Sequence, residues 1–291
     1  MYDRILVPTD GGGPATAALE YGAKLAARLE ATVHVLHVTE APLEEGETDE
    51  LDGAGDRERT GEAILDRASE WVRAEGVAVV DAVRSGDPLE EIPDYAREEG
   101  IDAIVMGTHG RTGIDRFVLG SVTEHVVRTA AIPVLVVRGD DDVRTTLPSE
   151  TVVVPIDDSE HAEAALEEGI EVAMQFDATL HVLSVVDVSP IGLEPQVDLR
   201  VNRLEEGAQR VIDDAAERAT ARGVDDVVSS MSFGSIHRGI TSYAVDNDAD
   251  LLVMGTHGRS GLDRYLLGSV TERVLRTAPA PVLTVRARES E

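Results

Sequence analysis

Ala103-Ile104-Val105-Met106-Gly107-Thr108-His109-Gly110-Arg111 runs through a short loop into Gly120-Ser121-Val122-Thr123-Glu124. Leu251-Leu252-Val253-Met254-Gly255-Thr256-His257-Gly258-Arg259 leads in the same way into Gly268-Ser269-Val270-Thr271-Glu272. In each copy an unbroken apolar run is followed by glycines and then by a helix-like segment. The physical reading is a strand, a glycine-lined loop and a helix N-terminus. At such a junction backbone amides and the positive end of the helix dipole converge, which suits an anion. The expectation is a phosphate cradle, present twice.

The duplication extends well beyond the loops. Residues 107–138 and 255–286 align without a gap at an offset of 148, and 23 of those 32 positions are identical. Upstream, Val7-Pro8-Thr9-Asp10 matches Val154-Pro155-Ile156-Asp157 at an offset of 147. A period this long means two whole domains, not a solenoid. A chain of 291 residues fits that division at ~150 residues per domain. The expected boundaries are a first domain over residues 1–139, an acidic linker over 140–149 and a second domain over 150–288.

Short apolar runs alternate with longer amphipathic segments. In the first copy strands are expected at Arg4-Ile5-Leu6-Val7, at Thr32 to Val38, from Val77 to Arg84, from Ala103 to Met106 and at Val134 to Val137. Their continuous rather than alternating hydrophobicity is that of parallel strands covered on both faces. Helices are expected after Gly11-Gly12-Gly13-Pro14, with Ala17, Leu19, Tyr21, Ala23, Leu25 and Ala26 on the packed face, then from about Arg57 to Glu75, from Pro88 to Glu99 and from Ser121 to Thr129. Glu40 to Asp56 is too acidic and glycine-rich to pack and is expected to be a loop. The second copy repeats the order, with Thr179 to Val186 as its second strand and a longer helix from Arg200 to Arg222. The expected fold class is α/β: two tandem doubly wound five-stranded parallel-sheet domains, Rossmann-like, with right-handed crossovers. Ligands of such sheets bind at strand carboxyl ends where strand order reverses. Asp10, Val38 and Gly107 fall there, as do Asp157, Val185 and Gly255.

The composition narrows the partners. Hydrophobic residues make up 42% of the chain, and no apolar run approaches the ~18 residues of a membrane span. No basic-then-apolar leader is expected at the N-terminus. Cysteine is absent, which removes disulfide and thiol chemistry and fits a cytoplasmic protein. Acidic residues number 56 against 26 basic ones, a net charge of -30, and Lys24 is the only lysine. Such a surface repels nucleic acid and anionic membrane, so neither is expected as a partner. Self-repulsion on this scale is best tolerated where the Debye length falls to ~3 Å, at molar salt. A salt-adapted, halophilic cytoplasm is therefore the expectation, and stability that rises between low and molar KCl is its test.

Common nucleotide and hydrolase signatures are missing. Lys24 does not stand in a Gly-Lys-Ser/Thr context, so no Walker loop exists. Gly11-Gly12-Gly13-Pro14-Ala15-Thr16 is one glycine short of a dinucleotide fingerprint, and the second copy has Asp158-Ser159-Glu160 there. Neither HExxH nor Gly-x-Ser-x-Gly occurs. What remains is Gly-x-x-Gly-x9-Gly-Ser, at Gly107, Gly110, Gly120 and Ser121 and again at Gly255, Gly258, Gly268 and Ser269. Glycine lets a phosphate approach the backbone closely. Gly120-Ser121 adds helix amides and a hydroxyl, and Arg111 and Arg259 add a cation.

A structural reading stands beside this one. Ser121-Val122-Thr123-Glu124 and Ser269-Val270-Thr271-Glu272 have the form of capping boxes, and a capping serine needs no ligand. The glycines, the strand context and the duplication favour the ligand. His109 and His257, between the loop glycines, fit loop packing as well as phosphate contact. His34, His37, His125, His161, His181 and His237 share no metal spacing across the repeats and read as packing or surface residues. Asp10 and Asp157 fit helix N-caps, with a ribose or metal role open.

Nearly the whole chain resembles a tandem universal stress protein, and the Gly-x-x-Gly-x9-Gly-Ser pattern after a strand ending in Met-Gly is similar to that family's ATP-binding motif. The resemblance implies an adenine nucleotide, ATP with or without Mg²⁺, with its phosphates on Gly107, Gly110, Gly120, Ser121 and Val122 and with Met106, His109 and Thr123 close by. It implies further contacts at Pro8, Thr9 and Asp10, and adenine at the Val38 backbone. In the second copy the implied set is Pro155, Ile156, Asp157, Val185, Met254, Gly255, His257, Gly258, Gly268, Ser269, Val270 and Thr271. Ile156 in place of Thr9 removes a hydroxyl, so two equal sites do not follow. The resemblance also implies edge pairing of residues 133–138 with 281–286, an internal pseudo-dimer, with a homodimer of chains open. Among functions, a cytoplasmic stress-response module that holds ATP with at most slow hydrolysis leads. The alternatives are an adenylate-handling enzyme of the α-hydrolase type, and a nucleotide-free dimerising scaffold for another protein.

Overall fold

The computed structural model describes residues 1–39, 50–108, 119–140, 143–187, 197–258 and 267–287, with the side chains of the two long helices described from 59 and from 201. The chain forms two compact units, Met1–Asp141 and Asp142–Glu291. Each is a parallel α/β layer structure with five strands among its described residues.

The first unit runs β1 (Arg4–Pro8), α1 (Gly13–Leu29), β2 (Thr32–Thr39), α2 (Glu50–Ala74), β3 (Val79–Ser85), α3 (Pro88–Glu98), β4 (Ala103–Gly107), α4 (Ser121–Thr129) and β5 (Val134–Val137). Its strand order is β3-β2-β1-β4-β5. The second unit runs β6 (Thr151–Pro155), α5 (Glu160–Phe176), β7 (Thr179–Val186), α6 (Val197–Arg222), β8 (Val227–Phe233), α7 (Ile236–Asp246), β9 (Leu251–Gly255), α8 (Ser269–Thr277) and β10 (Val282–Val285), in the order β8-β7-β6-β9-β10.

The order reverses between β1 and β4, and between β6 and β9. Those ladders are short, Ile5↔Ala103 and Leu6↔Ile104 in one unit and Val152↔Leu251 and Val153↔Leu252 in the other. The carboxyl ends of all four strands lie beyond the paired residues, which leaves room for a crevice at each switch point. An aspartate clamps the opposite end of each ladder. Asp102 Oδ2 accepts from the amides of Asp3 and Arg4 at 2.8 and 2.9 Å, and Asp250 Oδ2 from those of Glu150 and Thr151 at 2.9 and 3.1 Å. Asp250 is buried and also accepts from Arg144 Nε at 2.7 Å, which ties the chain from residue 143 onward to the second unit.

Unbroken apolar strands make the core, as parallel strands covered on both faces must. Ile5, Leu6, Val7, Val33, Val35, Leu36, Ile104 and Val105 have no exposed surface, and roughly 1.5–3 kcal/mol accompanies full burial of each such side chain. Ala18, Ala23 and Ala26 of α1 are fully buried too, whereas Ala17, expected on that face, is only half-buried. Small residues bring helix and sheet together: a Cβ on Gly22 would lie 3.1 Å from Val7. Both first helices end the same way, with Glu30 and Asp177 in the left-handed region donating to the carbonyls of Ala26 and Ala173.

Two helix boundaries differ from the sequence expectation. Helix α2 starts at Glu50, ahead of Arg57, and α6 at Val197, ahead of Arg200. Once Leu65, Ala68 and Val72 dock one face, each further residue adds a hydrogen bond at little entropic cost. The remainder of the expected loop, residues 40–49, lies outside the described residues. No described helix is long and apolar enough to cross a membrane.

Candidate functional site

The bipartite glycine motif closes on itself at its two ends. Gly120 N donates to Thr108 O at 2.7 Å, and Gly268 N to Thr256 O at 2.9 Å. The Thr123 hydroxyl donates to Gly107 O at 2.7 Å and the Thr271 hydroxyl to Gly255 O at 2.8 Å. Strand end and helix start are thus joined twice in each unit, around the intervening loop. Both threonine side chains are buried and their hydroxyl protons are committed to the backbone. Of the expected site residues, His109, Gly110, Arg111 and Arg259 lie outside the described residues.

Glycine is required at the strand ends. A Cβ on Gly107 would sit 2.5 Å from the carbonyl carbon and oxygen of Pro14, and one on Gly255 would sit 2.8 Å from those of His161. Backbone at that distance cannot yield, so the first turn of α1 or α5 rests directly on the end of β4 or β9. The glycines hold that close packing whether or not a ligand is present.

The capping-box expectation is overturned. The N-cap residues are Gly120 and Gly268, neither helix start carries a side-chain cap, and Ser121 and Ser269 are the first helical residues. The hydroxyls are therefore one position too late to cap, and both serines are exposed at the helix mouth. A glycine N-cap supplies the extended backbone without a side chain over the terminal amides, so this helix end keeps an open face.

The N-cap role expected of Asp10 and Asp157 is overturned as well. The α1 N-cap is Gly12 and the α5 N-cap is Ser159, whose hydroxyl accepts from Ala162 N at 3.2 Å. Asp10 instead accepts from Gly12 N at 2.8 Å, and Asp157 from Ser159 N at 3.0 Å, each folding the loop after the first strand. The Thr9 hydroxyl has a similar local role, accepting from Gly11 N at 3.1 Å, with Gly11 at a φ of +76°. Ile156 at the matching place is buried.

In the second unit these parts wall a cavity of about 540 Å³, within the range of small-molecule sites. Pro155, Ile156 and Asp157 come from the end of β6, Val185 from β7, and Met254, Gly255, His257 and Gly258 from the end of β9. Gly268, Ser269, Val270 and Thr271 come from the start of α8. All twelve described residues that sequence reasoning placed at the second site line it. The reading missed the apolar far walls, Leu204 and Ala208 of α6 and Ile236 and Ile240 of α7, and beside them the polar Ser184 of β7. No local signal shows which helix residues border a hollow. In the first unit His37 occupies the place of Ser184. Its Nδ1 lies 2.8 Å from Thr9 O, and a Cβ on Gly61 would lie 2.8 Å from its ring.

Two histidines meet beside the second cavity. The rings of His161 and His257 are 5.1 Å apart at 59°, and His257 Nδ1 lies 3.1 Å from Thr256 Oγ1. Burial holds the His161 imidazole below its usual value, helped by His257 and Arg286 and opposed by Glu160 and Asp157. His161 is thus no ordinary surface residue. His34 and His181 lie away from the cavity, each with Nδ1 2.9 Å from a tyrosine hydroxyl, of Tyr95 and Tyr243, and with the imidazole pushed down by burial. They are packing residues, as read.

The sequence profile of the universal stress protein family matches residues 1–138 and again 148–286. A universal stress protein of Methanocaldococcus jannaschii is 38% identical over 143 residues, covering 48% of this chain and 84% of that one. The structure of a universal stress protein from Archaeoglobus fulgidus matches over 98% of this chain and 99% of its own, with a TM-score of 0.74 at 25% identity. A universal stress protein structure from Pseudomonas aeruginosa shares the fold at a TM-score of 0.62 and 20% identity, over 98% of this chain and 93% of its own. Two copies of one domain, each with the glycine loop at its switch point, agree with these matches, and the chain belongs to the universal stress protein family.

Proposed function

We propose that the chain is a cytoplasmic binding and regulatory module that holds an adenine nucleotide, ATP with or without Mg²⁺, in each unit. The observation that carries this reading is the cavity of the second unit. Its polar end gathers Gly255, Gly258, Gly268, Ser269 and Val270 around an α8 start without a side-chain cap, and its far walls are apolar. Phosphates suit the first, because amides and helix dipole supply positive potential where the protein as a whole is strongly negative. A base suits the second, with Val185 at its edge. A Mg²⁺ ion accompanying ATP would be held by the phosphates and water. The first unit, through Pro8, Thr9, Asp10, Val38, Met106, Gly107, His109, Gly110, Arg111, Gly120, Ser121, Val122 and Thr123, would hold its nucleotide on the same plan. Hydrolysis is proposed to be slow at most. The same proposal includes the edge pairing of residues 133–138 with 281–286, which amide exchange of those segments would test.

Equilibrium binding of ATP, ADP and AMP to the full chain, in molar KCl with Mg²⁺, tests the reading. Saturable binding at two sites is expected. In Gly258→Asp one site should be lost, because a Cβ there lies 3.0 Å from Asp157 Oδ2 and the new carboxylate would face the old one. Absence of saturable binding overturns the proposal. Turnover above ~1 s⁻¹, the pace of ordinary enzymes, would replace it with the enzyme reading.

A further inference from the structure

The His161–His257 contact has no counterpart built from the same residues in the first unit, where Pro14 stands at the place of His161 (161 - 147 = 14). His257 lines the cavity beside Gly255, Gly258 and Ser269. His161 stands on the first turn of α5, pressed against Gly255, with its ring against that of His257.

We propose that His161 and His257 act as a single proton-binding pair at the phosphate end of the second unit's cavity, so that nucleotide binding there takes up a proton. His161 is the positioning residue of the pair: its ring sets when His257 carries charge. The inference rests on the nucleotide reading given above.

The physical grounds are the groups that face the pair. Two imidazoles with centroids 5.1 Å apart do not comfortably carry a charge each, so the pair holds one proton rather than two. On the α5 side stand Glu160 and the Asp157 carboxylate, which favour a proton. From the end of β10 stands Arg286, which opposes it, as does partial burial of His161. Burial is the largest of these influences and holds the His161 imidazole below its usual value, so without a ligand the uncharged ring is favoured. A polyphosphate seated at the α8 N-terminus adds several negative charges beside His257 and moves the balance toward the protonated pair. A strongly acidic chain thereby gains a local positive charge when its anionic ligand arrives. The first unit lacks the second ring at the matching position and is expected to bind without this linkage.

Histidine Cε1–H resonances of the full chain, followed between about pH 5 and 9 with and without saturating ATP, read the pair directly. His161→Gln and His257→Gln assign the two signals. The expected result is a joint titration of the two rings that moves up by about one pH unit on adding ATP, which is about tenfold in affinity across the window. In His161→Gln, removal of the like-charged neighbour should move the remaining ring's titration to higher pH and shift the pH profile of ATP affinity with it. In His257→Gln the second unit's profile should become flat. A His161 with a purely packing role would change affinity by the same factor at every pH, and that outcome overturns the proposal. So does saturable ATP binding that leaves both titrations in place, which would leave the nucleotide reading standing. No ATP binding at any pH overturns both. If a variant does not fold, the shift on adding ATP to the unaltered protein still decides the matter.

Discussion

The two units build the same cradle and furnish its surroundings differently. Gly107 and Gly255, Thr123 and Thr271, and Gly120 and Gly268 make the same hydrogen bonds to within 0.2 Å of one another, 2.7 against 2.8 Å for the threonines and 2.7 against 2.9 Å for the loop closure. Around that frame several neighbours change. The first unit turns its β1 loop with Thr9, Asp10 and a left-handed Gly11, and opens α1 on a bare Gly12. The second buries Ile156, folds Asp157 onto Ser159 and caps α5 with the serine hydroxyl. The first unit places a histidine ring against Gly61, and at the matching positions of the second stand Ser184 and Ala208, both lining its cavity. The lesson is that backbone geometry at the strand–helix junction tolerates little variation, because its contacts are backbone on backbone. The side chains around it can be exchanged in compensating pairs.

The largest expected effect tests the part that does not vary. Gly107→Val would drive a branched side chain into the Pro14 carbonyl, 2.5 Å from the Cβ position, and should cost about 3 kcal/mol or more. Gly255→Val should cost somewhat less, since the His161 backbone begins 2.8 Å away. Urea unfolding would measure both, and equal or negligible losses would break the claim that packing alone requires these glycines.

The next effect tests compensation. Gly61→Ala pushes on the His37 ring, 2.8 Å from the new Cβ, and should weaken the bond between His37 Nδ1 and Thr9 O, a loss of about 1 kcal/mol. Adding His37→Ser recreates the second unit's pair and should recover most of it in a double-mutant cycle. Purely additive losses would show that the two positions are not coupled.

The smallest effect concerns the buried histidines. His34 and His181 have imidazoles pushed below the usual 6.5 in the folded state, by burial above all. The unfolded chain therefore binds more protons in mild acid. The stability they contribute is complete above about pH 6.5 and is lost as pH falls below it through the lowered folded-state value. At His34 burial is partly offset by the Glu99 carboxylate and reinforced by Arg4, and at His181 burial is the cause. His34→Gln and His181→Gln should each flatten the acid limb of stability. An acid limb left unchanged by both in thermal melts between about pH 5 and 8 would show that burial of these rings does not shape it.

Much of the fold was legible because its signals are local. Unbroken apolar runs such as Arg4-Ile5-Leu6-Val7 mark parallel strands without knowledge of any partner, and the 148-residue offset announces two domains. The glycines of the second loop stood out by their spacing alone, whereas Pro155, Ile156, Asp157, Val185 and Met254 entered through the family resemblance. Errors arose where the outcome depended on which backbone group lay nearby. Ser121 has the sequence of a cap, yet the Thr123 hydroxyl is drawn to Gly107 O, and Gly120 takes the cap position. Asp10 looks like a cap, yet Gly11 and Gly12 turn the chain before the helix begins. His161 has no local signal, because its partner lies 96 residues away (257 - 161).

The sequence alone determined the strand and helix order, the duplication, the net negative charge and the places where the backbone must be bare. Each follows from patterns within a few residues or from a count. Only the tertiary structure decided what those bare places touch: Pro14 on Gly107, His161 on Gly255, His37 beside Gly61, and a hollow bounded by α6 and α7 in the second unit. Those contacts join residues far apart in the chain. Their distances are set by how the crossovers lay each helix on the sheet, and no local pattern records that.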